Sequence, residues 1–193
     1  MIHTAAELVD TLIENPVVAA LRSAEMLEHV LDTNVKVVFM LYGAIGTLES
    51  QCARLREANK QVFLHIDLID GLRPDTVGVH YIASAMRPTG IITTKSNCVR
   101  MAHDAGMLAI QRIFLLDSSA LRSGVQNIAA CHPDLVEILP GVSGKVLRIA
   151  KKQISLPLIA GGLIYEKEDV ISALSAGVIA VSTSCETLWA LDE

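Results

Sequence analysis

The sequence predicts a compact (β/α)8 TIM barrel with parallel strands and a short last helix, formed by a single domain over residues 1–193. Apolar runs alternate with segments of helical periodicity, and eight such units in 193 residues leave about 24 residues for each. Each apolar run ends in a polar or glycine cluster, so the carboxyl ends of the strands would form one rim, where barrels bind ligands. An open doubly wound sheet is the runner-up fold, which the even spacing disfavours.

The strands and helices follow from local patterns. Residues 47–59 and 166–176 carry apolar side chains at three- and four-residue spacing, as amphipathic helices do. Gly106 and Gly177 stand where helix C-terminal caps belong, and the last helix is expected over residues 184–191. Candidate strands begin near eight positions: Pro16, Val35, Gln61, Gly90, Leu108, Leu135, Pro157 and Val178.

The hydrophobic content of 51% and the mean hydropathy of +0.44 first raise the question of a membrane protein. The longest uncharged stretch, residues 170–185, is shorter than the ~18 residues that a spanning helix needs. Parallel strands that are buried on both faces explain the hydropathy instead, so no membrane association is expected. The first four residues lack the basic and apolar regions of a signal peptide, and this indicates a cytoplasmic location.

The charged residues and cysteines restrict the chemistry further. The net charge of −5 and the isoelectric point near 5.7 give no global electrostatic reason to expect nucleic-acid binding. The four cysteines are widely separated and form no C-x-x-C pair, so free thiols are expected, without a disulfide framework or a metal site. No cofactor motif is visible. The cysteines are Cys52, Cys98, Cys131 and Cys185.

Two late segments predict a phosphate site. In many barrels the loops after the seventh and eighth strands hold a phosphate, because glycine permits close backbone approach and helix starts offer unpaired N–H groups. The structural alternative is that the paired glycines only allow a tight turn. The glycines after strand seven are Gly161 and Gly162, the hydroxyl residues after strand eight are Ser182, Thr183 and Ser184, and Gly141 after strand six is a third amide.

A second group of polar residues follows strands three to six. His65 and Asp67 are two residues apart, so on one strand they share a face, either as ligand contacts or as a core histidine with its partner. Lys95 is a cation for an anionic ligand, a Schiff-base amine or the partner of Asp67. Arg112 and Glu137 lie on neighbouring strands and are ligand contacts or a buried ion pair, since a lone buried charge is costly.

Six ordered segments resemble the glycerol uptake operon antiterminator regulatory proteins, a family that responds to glycerol 3-phosphate. They cover the chain from the third strand to the end, while the first strand, PVVAALRS, is a weaker match. The segments are HIDLIDGL (65–72), GIITTKSN (90–97), IQRIFLLDSSAL (110–121), EILPG (137–141), AGGLI (160–164) and AVSTSCETLW (180–189).

The resemblance implies a barrel without known catalytic activity that senses glycerol 3-phosphate and binds leader mRNA to prevent premature termination of glycerol-utilisation genes. It assigns the glycine and hydroxyl residues above to the phosphate, and Asp67, Lys95, Arg112 and Glu137, with His65 beside them, to the polyol. Two departures stand out. The chain has Tyr165-Glu166 where members often have arginine and threonine, which puts a carboxylate near the anion site. It has Ala44 where aspartate is common.

Two other classes of function compete with this hypothesis. One is a phosphosugar aldolase or isomerase that uses Lys95 or an Asp67/Glu137 pair, because carboxylates on different strands need no sequence signature. The other is a sensor that contacts only protein. For RNA, aromatic residues make up only 4%, and one local basic group falls on a helix face that is either an RNA patch or merely solvated. Its residues are Lys145, Arg148 and Lys152, and a homo-oligomer would pair two such patches.

Overall fold

The computed structural model describes residue 2 and residues 4–190, and its core is a closed barrel of eight parallel strands in chain order. Every strand pairs with its neighbours in sequence, and β8 closes the barrel against β1. The predicted TIM barrel is therefore confirmed. The strands are β1 (Val17–Leu21), β2 (Val37–Met40), β3 (Gln61–His65), β4 (Gly90–Thr93), β5 (Leu108–Phe114), β6 (Leu135–Leu139), β7 (Leu158–Gly161) and β8 (Ala180–Thr183).

Helices surround the barrel, and one further helix precedes the first strand. Short 3-10 turns follow β3 at Ile66–Leu68 and β8 at Glu186–Ala190, and a π-helical turn, Ile82–Met86, ends the fourth helix. The helices are α1 (Ala5–Glu14), α2 (Ala24–Leu31), α3 (Ile45–Glu57), α4 (Thr76–Tyr81), α5 (Ser96–Asp104), α6 (Ser118–Cys131), α7 (Gly144–Lys151) and α8 (Lys167–Ser175).

The expected element boundaries hold with small shifts. Gly106 and Gly177 follow the ends of α5 and α8 with φ of +77° and +98°, as C-terminal cap glycines do. The strands expected from Pro16 and Pro157 begin one residue later, because proline has no N–H to donate to the ladder, although both carbonyls accept ladder bonds. The short last helix is a 3-10 turn, and residue 191 of its expected range lies outside the described part.

Helix α1 closes the amino end of the barrel. Its Leu8 and Leu12 are fully buried against the apolar side chains that fill the barrel interior. Among these side chains, Phe39 and Phe63 pack edge to face with their ring centroids 5.9 Å apart. A larger apolar layer packs between the strands and the outer helices. The polar rim at the carboxyl ends of the strands is consequently the end that remains available to ligands.

The apolar composition is accounted for by these two layers. In the described part of the chain, no helix is both long and apolar enough to cross a membrane. Cys52, Cys98 and Cys131 are buried, Cys185 is half-buried, and all four are free thiols.

Candidate anion-binding site at the barrel mouth

A cavity of about 450 Å³ opens at the carboxyl ends of the strands, on the side of β5 to β8 and β1. It brings together residues from both groups that the sequence singled out. The lining residues are Ala20, Arg22, Leu41, Arg112, Phe114, Leu116, Glu137, Leu139, Pro140, Gly162, Leu163, Ile164, Tyr165, Ser182, Thr183 and Ser184.

The two glycines at the end of the seventh strand have different roles, since Gly161 is the last residue of β7 and Gly162 follows it. Gly161 faces a crowded interior, where an added Cβ would lie 2.5 Å from Ser182 Oγ and 2.6 Å from Glu137 Oε1. Gly162 lines the cavity and has a φ of +78°, a left-handed conformation that favours glycine. Close packing therefore requires a glycine at position 161, whereas the left-handed turn at the cavity favours a glycine at position 162.

Gly141 differs from expectation. Its N–H donates to the carbonyl oxygens of Gly161 and Gly162, at 2.6 and 3.1 Å. The amide that the sequence suggested as a third phosphate contact is thus used to join the loops after β6 and β7. Its position is also tight, because an added Cβ would approach the Gly161 nitrogen to 2.8 Å.

Two backbone amides at the cavity have no protein partner. Within residues 4–190, the N–H groups of Leu163 and Ser184 donate no hydrogen bond, and both residues line the cavity. Leu163 has a φ of +60°, which is rare for a side chain of this size and continues the turn begun at Gly162. Unpaired N–H groups on the two loops after β7 and β8 are the donors that a bound anion requires.

The sequence placed three hydroxyl residues after the eighth strand, but Ser182 and Thr183 are the last two residues of β8, and both hydroxyls are already engaged. Ser182 Oγ donates to Glu137 Oε1 at 2.5 Å, and Thr183 Oγ1 donates to the Ile164 carbonyl at 2.7 Å. Thr183 Oγ1 also accepts the N–H of Cys185 at 3.0 Å. Ser184, by contrast, makes no side-chain hydrogen bond to another described residue, so its hydroxyl remains available to a ligand.

Arg112 and Glu137 form a buried ion pair at the cavity wall. They are register partners on β5 and β6, and Arg112 Nε donates to Glu137 Oε2 at 2.5 Å. Their side chains are 8% and 0% exposed. With the bond from Ser182, both oxygens of Glu137 have partners, which a buried carboxylate requires. The two residues therefore form the buried ion pair, and the pair also contributes polar atoms to the cavity.

His65, Asp67 and Lys95 form a second cluster that does not contribute to the cavity lining. His65 is the last residue of β3, but Asp67 lies in the following 3-10 turn, so the expectation that both lie on one strand was wrong. Lys95 follows β4 as the N-cap residue of α5, with its Nζ 3.5 Å from Asp67 Oδ1. Lys95 is thus the partner of Asp67.

Asp67 is held as a carboxylate. Burial alone would raise its pKa, but hydrogen bonds from the Thr94 N–H at 2.8 Å and from the Thr93 and Thr94 hydroxyls at 3.1 Å lower it on balance. His65 Nδ1 lies 3.9 Å from Asp67 Oδ2, too far for a hydrogen bond. Both His65 Nδ1 and Asp67 Oδ1 are buried without a hydrogen-bond partner in the described residues.

Burial, with the nearby Arg112 charge adding to it, lowers the pKa of His65 from 6.5 to about 4, so the folded protein holds this ring neutral. In the unfolded chain His65 becomes protonated as the pH falls below 6.5, whereas in the folded protein it becomes protonated only near pH 4. The free energy of unfolding therefore decreases as the pH falls through this range. Between pH 7 and pH 4.5 His65 should account for a loss of about 2 kcal/mol in unfolding free energy.

Urea unfolding of wild type and His65→Gln at these two pH values measures the effect. The difference between the two pH values should shrink by about that amount in the variant. Parallel pH dependences in wild type and variant would show that His65 titrates normally.

Of the residues that depart from the family pattern, Tyr165 lines the cavity, whereas Glu166 and Ala44 do not. Glu166 is the N-cap residue of α8, and the Asp169 carboxylate accepts the N–H groups of Tyr165 and Glu166 at 2.9 and 3.0 Å. Glu166 does not belong to the cavity lining, so the expected carboxylate beside the anion site is absent there. Ala44 forms a bridge with Asp70 beyond β2, also away from the cavity.

Arg22 is a cavity residue that the sequence analysis missed. It directly follows β1, and a polar side chain at the end of that apolar run was the available signal. The mouth also has a rim of exposed apolar side chains, which sequence periodicity does not distinguish from core residues. These are Phe114, Leu116, Leu163 and Tyr165, with exposed fractions of 50%, 83%, 55% and 62%.

The basic residues predicted to contact RNA are all exposed. Lys145 and Arg148 lie on α7, Lys152 is its C-cap residue, and none forms an ion pair with a carboxylate in residues 4–190. Ile149, 41% exposed, follows Lys145 at four-residue spacing and so lies on the same face. The face is therefore mixed basic and apolar.

Fold and cavity together define a class of protein: a TIM barrel with unpaired amides and a positively charged side chain at the part of its mouth where many barrels bind phosphate. No group of three His, Cys, Asp or Glu side chains among the described residues is arranged to hold a metal ion. Residues 17–189 match the family model described as glycerol-3-phosphate responsive antiterminator. The chain belongs to this family.

Individual relatives agree with the family model. An Escherichia coli (strain K12) protein, YgcP, described as uncharacterized, is 35% identical over 95% of this chain and 96% of its own. The crystal structure of the glycerol uptake operon antiterminator regulatory protein from Listeria monocytogenes has a TM-score of 0.86 at 34% identity, covering 90% of this chain and 94% of that one. An antiterminator-related protein from Thermotoga maritima has a TM-score of 0.80 at 31% identity, covering 91% and 98%.

Proposed function

We propose that this chain is a cytoplasmic regulator that binds glycerol 3-phosphate at the barrel mouth and, in response, binds leader mRNA to prevent premature termination of glycerol-utilisation genes. The observation that carries the ligand part is the pair of unpaired amides of Leu163 and Ser184, two residues that line the same cavity. The family membership of the chain supports the regulatory part.

The cavity offers a phosphate end and a polyol end. The phosphate is placed at the amides of Leu163 and Ser184 and the Ser184 hydroxyl, with Gly162 allowing close approach. The glycerol hydroxyls then extend toward Arg112 and Glu137. The Nε–H of Arg112 donates to Glu137. Because a guanidinium has five N–H donors, further donors remain for a hydroxyl oxygen.

The phosphosugar-enzyme alternative has less support. A Schiff-base aldolase needs an amine at the substrate, whereas Lys95 lies beside Asp67 and outside the cavity lining. Of the proposed Asp67/Glu137 acid–base pair, only Glu137 lines the cavity, and both its oxygens already accept hydrogen bonds. The family is described as a responsive antiterminator, a regulatory activity.

For RNA, we assign the basic face of α7, formed by Lys145, Arg148 and Lys152. Because the chain has a net charge of −5, RNA affinity must come from a local patch, and one helix supplies few phosphate contacts. A homo-oligomer that presents two such faces raises the effective concentration of the second patch. The proposed regulator is therefore a ligand-stabilised oligomer.

Reversing the charge of Lys145, Arg148 and Lys152 to glutamate should weaken binding to the leader transcript and reduce the slope of log affinity against log salt by roughly 2. Glycerol 3-phosphate binding should be unchanged. Filter binding at several salt concentrations, with and without ligand, measures both effects.

The matched control reverses three scattered exposed cations, Lys36, Arg122 and Lys167, which gives the same net charge. The control should retain most of the RNA affinity. Equal losses in both triple variants would mean that total charge, and not the α7 face, determines binding. A wild type that binds no leader RNA in either condition would contradict the antiterminator function itself.

A further inference from the structure

Two arginines line the cavity, and only one of them has a carboxylate partner among the described residues. Arg112 is compensated by Glu137 at 2.5 Å. Arg22 forms no ion pair with any carboxylate in residues 4–190, and Glu137 is the only acidic side chain in the cavity lining of that part of the chain. The cavity therefore has one uncompensated positive charge, and it belongs to Arg22.

The strand register puts Arg22 and Ser184 on the same rim of the barrel. Ala19 of β1 pairs with Thr183 of β8, so Arg22 and Ser184 follow the ends of two adjacent strands on the same rim. The Arg22 backbone is fixed, since its N–H donates to Met26 Sδ at 3.3 Å at the start of α2. Its guanidinium makes no hydrogen bond to another described residue and is exposed.

We propose that Arg22 is the specificity-determining residue for the charged end of the ligand, and that it pairs with the phosphate dianion held by the Leu163 and Ser184 amides. This inference rests on the proposed ligand site. It assigns a role that Arg112 is unable to fill, because Arg112 is already neutralised. A guanidinium suits the role, because its planar donors bind two phosphate oxygens at once.

The surroundings of Arg22 strengthen such a pair. Most of the cavity lining is apolar, including Leu41, Leu116 and Leu139. Attraction between opposite charges increases as the local dielectric falls, so the apolar lining favours the pair, although solvent at the exposed guanidinium of Arg22 reduces this gain. An uncharged polyol lacks this charge–charge attraction, so Arg22 discriminates the phosphorylated ligand from the free one.

Calorimetry of Arg22→Gln tests the assignment. Its affinity for glycerol 3-phosphate should fall roughly 10- to 100-fold, as for the loss of a charge-assisted hydrogen-bonded pair. The remaining affinity should depend less on salt than that of wild type. Arg22→Lys should lie between the two, because it retains the charge and loses the two-point contact.

Arg73→Gln is the matched control, since it removes one positive charge from a side chain that is 89% exposed and outside the cavity lining. Its ligand affinity should equal that of wild type. Thermal unfolding of each variant should remain near wild type, because neither guanidinium packs in the core.

The possible results separate this inference from the proposed function. If wild type binds glycerol 3-phosphate and Arg22→Gln binds it equally well, the role of Arg22 is refuted and the ligand site stands. If wild type binds inorganic phosphate but not glycerol 3-phosphate, and Arg22→Gln loses the phosphate, the role of Arg22 stands and the proposed ligand is wrong. A wild type that binds neither compound overturns both.

Discussion

Replacing Glu137 with alanine is expected to lower the free energy of unfolding by about 3–5 kcal/mol, because the change leaves a buried arginine without its counter-charge. Arg112 is 8% exposed and its Nε lies 2.5 Å from Glu137. The same change removes the acceptor of the Ser182 hydroxyl and leaves a space beside Gly161. Urea denaturation at neutral pH, compared with wild type, measures the loss.

Two controls separate the buried charge from the loss of an ion pair in general. Replacing both Arg112 and Glu137 with methionine removes both charges and keeps much of the volume, so it should cost much less than Glu137→Ala. Glu28→Ala breaks the exposed pair between Glu28 and Arg54, which are also 2.5 Å apart, and should lower stability far less than Glu137→Ala does, because solvent screens an exposed ion pair. A Glu137→Ala protein as stable as wild type would contradict this expectation, because it would show that the Arg112 guanidinium becomes hydrated at little cost in free energy.

Gly162→Asp is expected to weaken glycerol 3-phosphate binding by more than roughly 100-fold, since it places a carboxylate where the phosphate is proposed to bind. Gly162 has a φ of +78°, and aspartate is among the residues that tolerate this region best, so the fold should persist at a cost of about 1 kcal/mol. An added Cβ would lie 3.3 Å from Leu139 Cδ2, which requires only a small movement.

Gly162→Asn provides the control, because asparagine has nearly the same shape without the charge. It should retain measurable binding while Gly162→Asp does not, and both should unfold at similar temperatures. Equal losses of binding in the two variants would attribute the effect to bulk, and the phosphate anchor would lose its support.

The barrel and its polar rim were predictable from the sequence because burial on both faces gives parallel strands a recognisable apolar run. The placement of Arg112 and Glu137 on neighbouring strands offered an ion pair as one of two alternatives, and the register of β5 and β6 brings the two side chains together. Helix α1 was not foreseen, although Leu8 and Leu12 have the four-residue spacing of a buried helix face. A helix before the first strand breaks the alternation on which the prediction relied.

Details of the site were less predictable, because they depend on hydrogen bonds that loops make across the chain. Only the hydrogen bonds of the folded chain show which amides are free. The Gly141 N–H donates to the Gly161 carbonyl, whereas the Ser184 N–H has no acceptor among the described residues. Asp67 does not lie on the same strand as His65, because the chain leaves β3 through a 3-10 turn. This turn ends the two-residue alternation of side chains that a strand would have. No local pattern encodes either outcome.

Isothermal titration of the wild-type protein with glycerol 3-phosphate and with glycerol tests the central claim most directly, because the two ligands differ only in the phosphate. Saturable binding of glycerol 3-phosphate, competition by inorganic phosphate and no detectable binding of glycerol are the expected results. Equal affinity for both ligands would contradict a phosphate anchor at the barrel mouth.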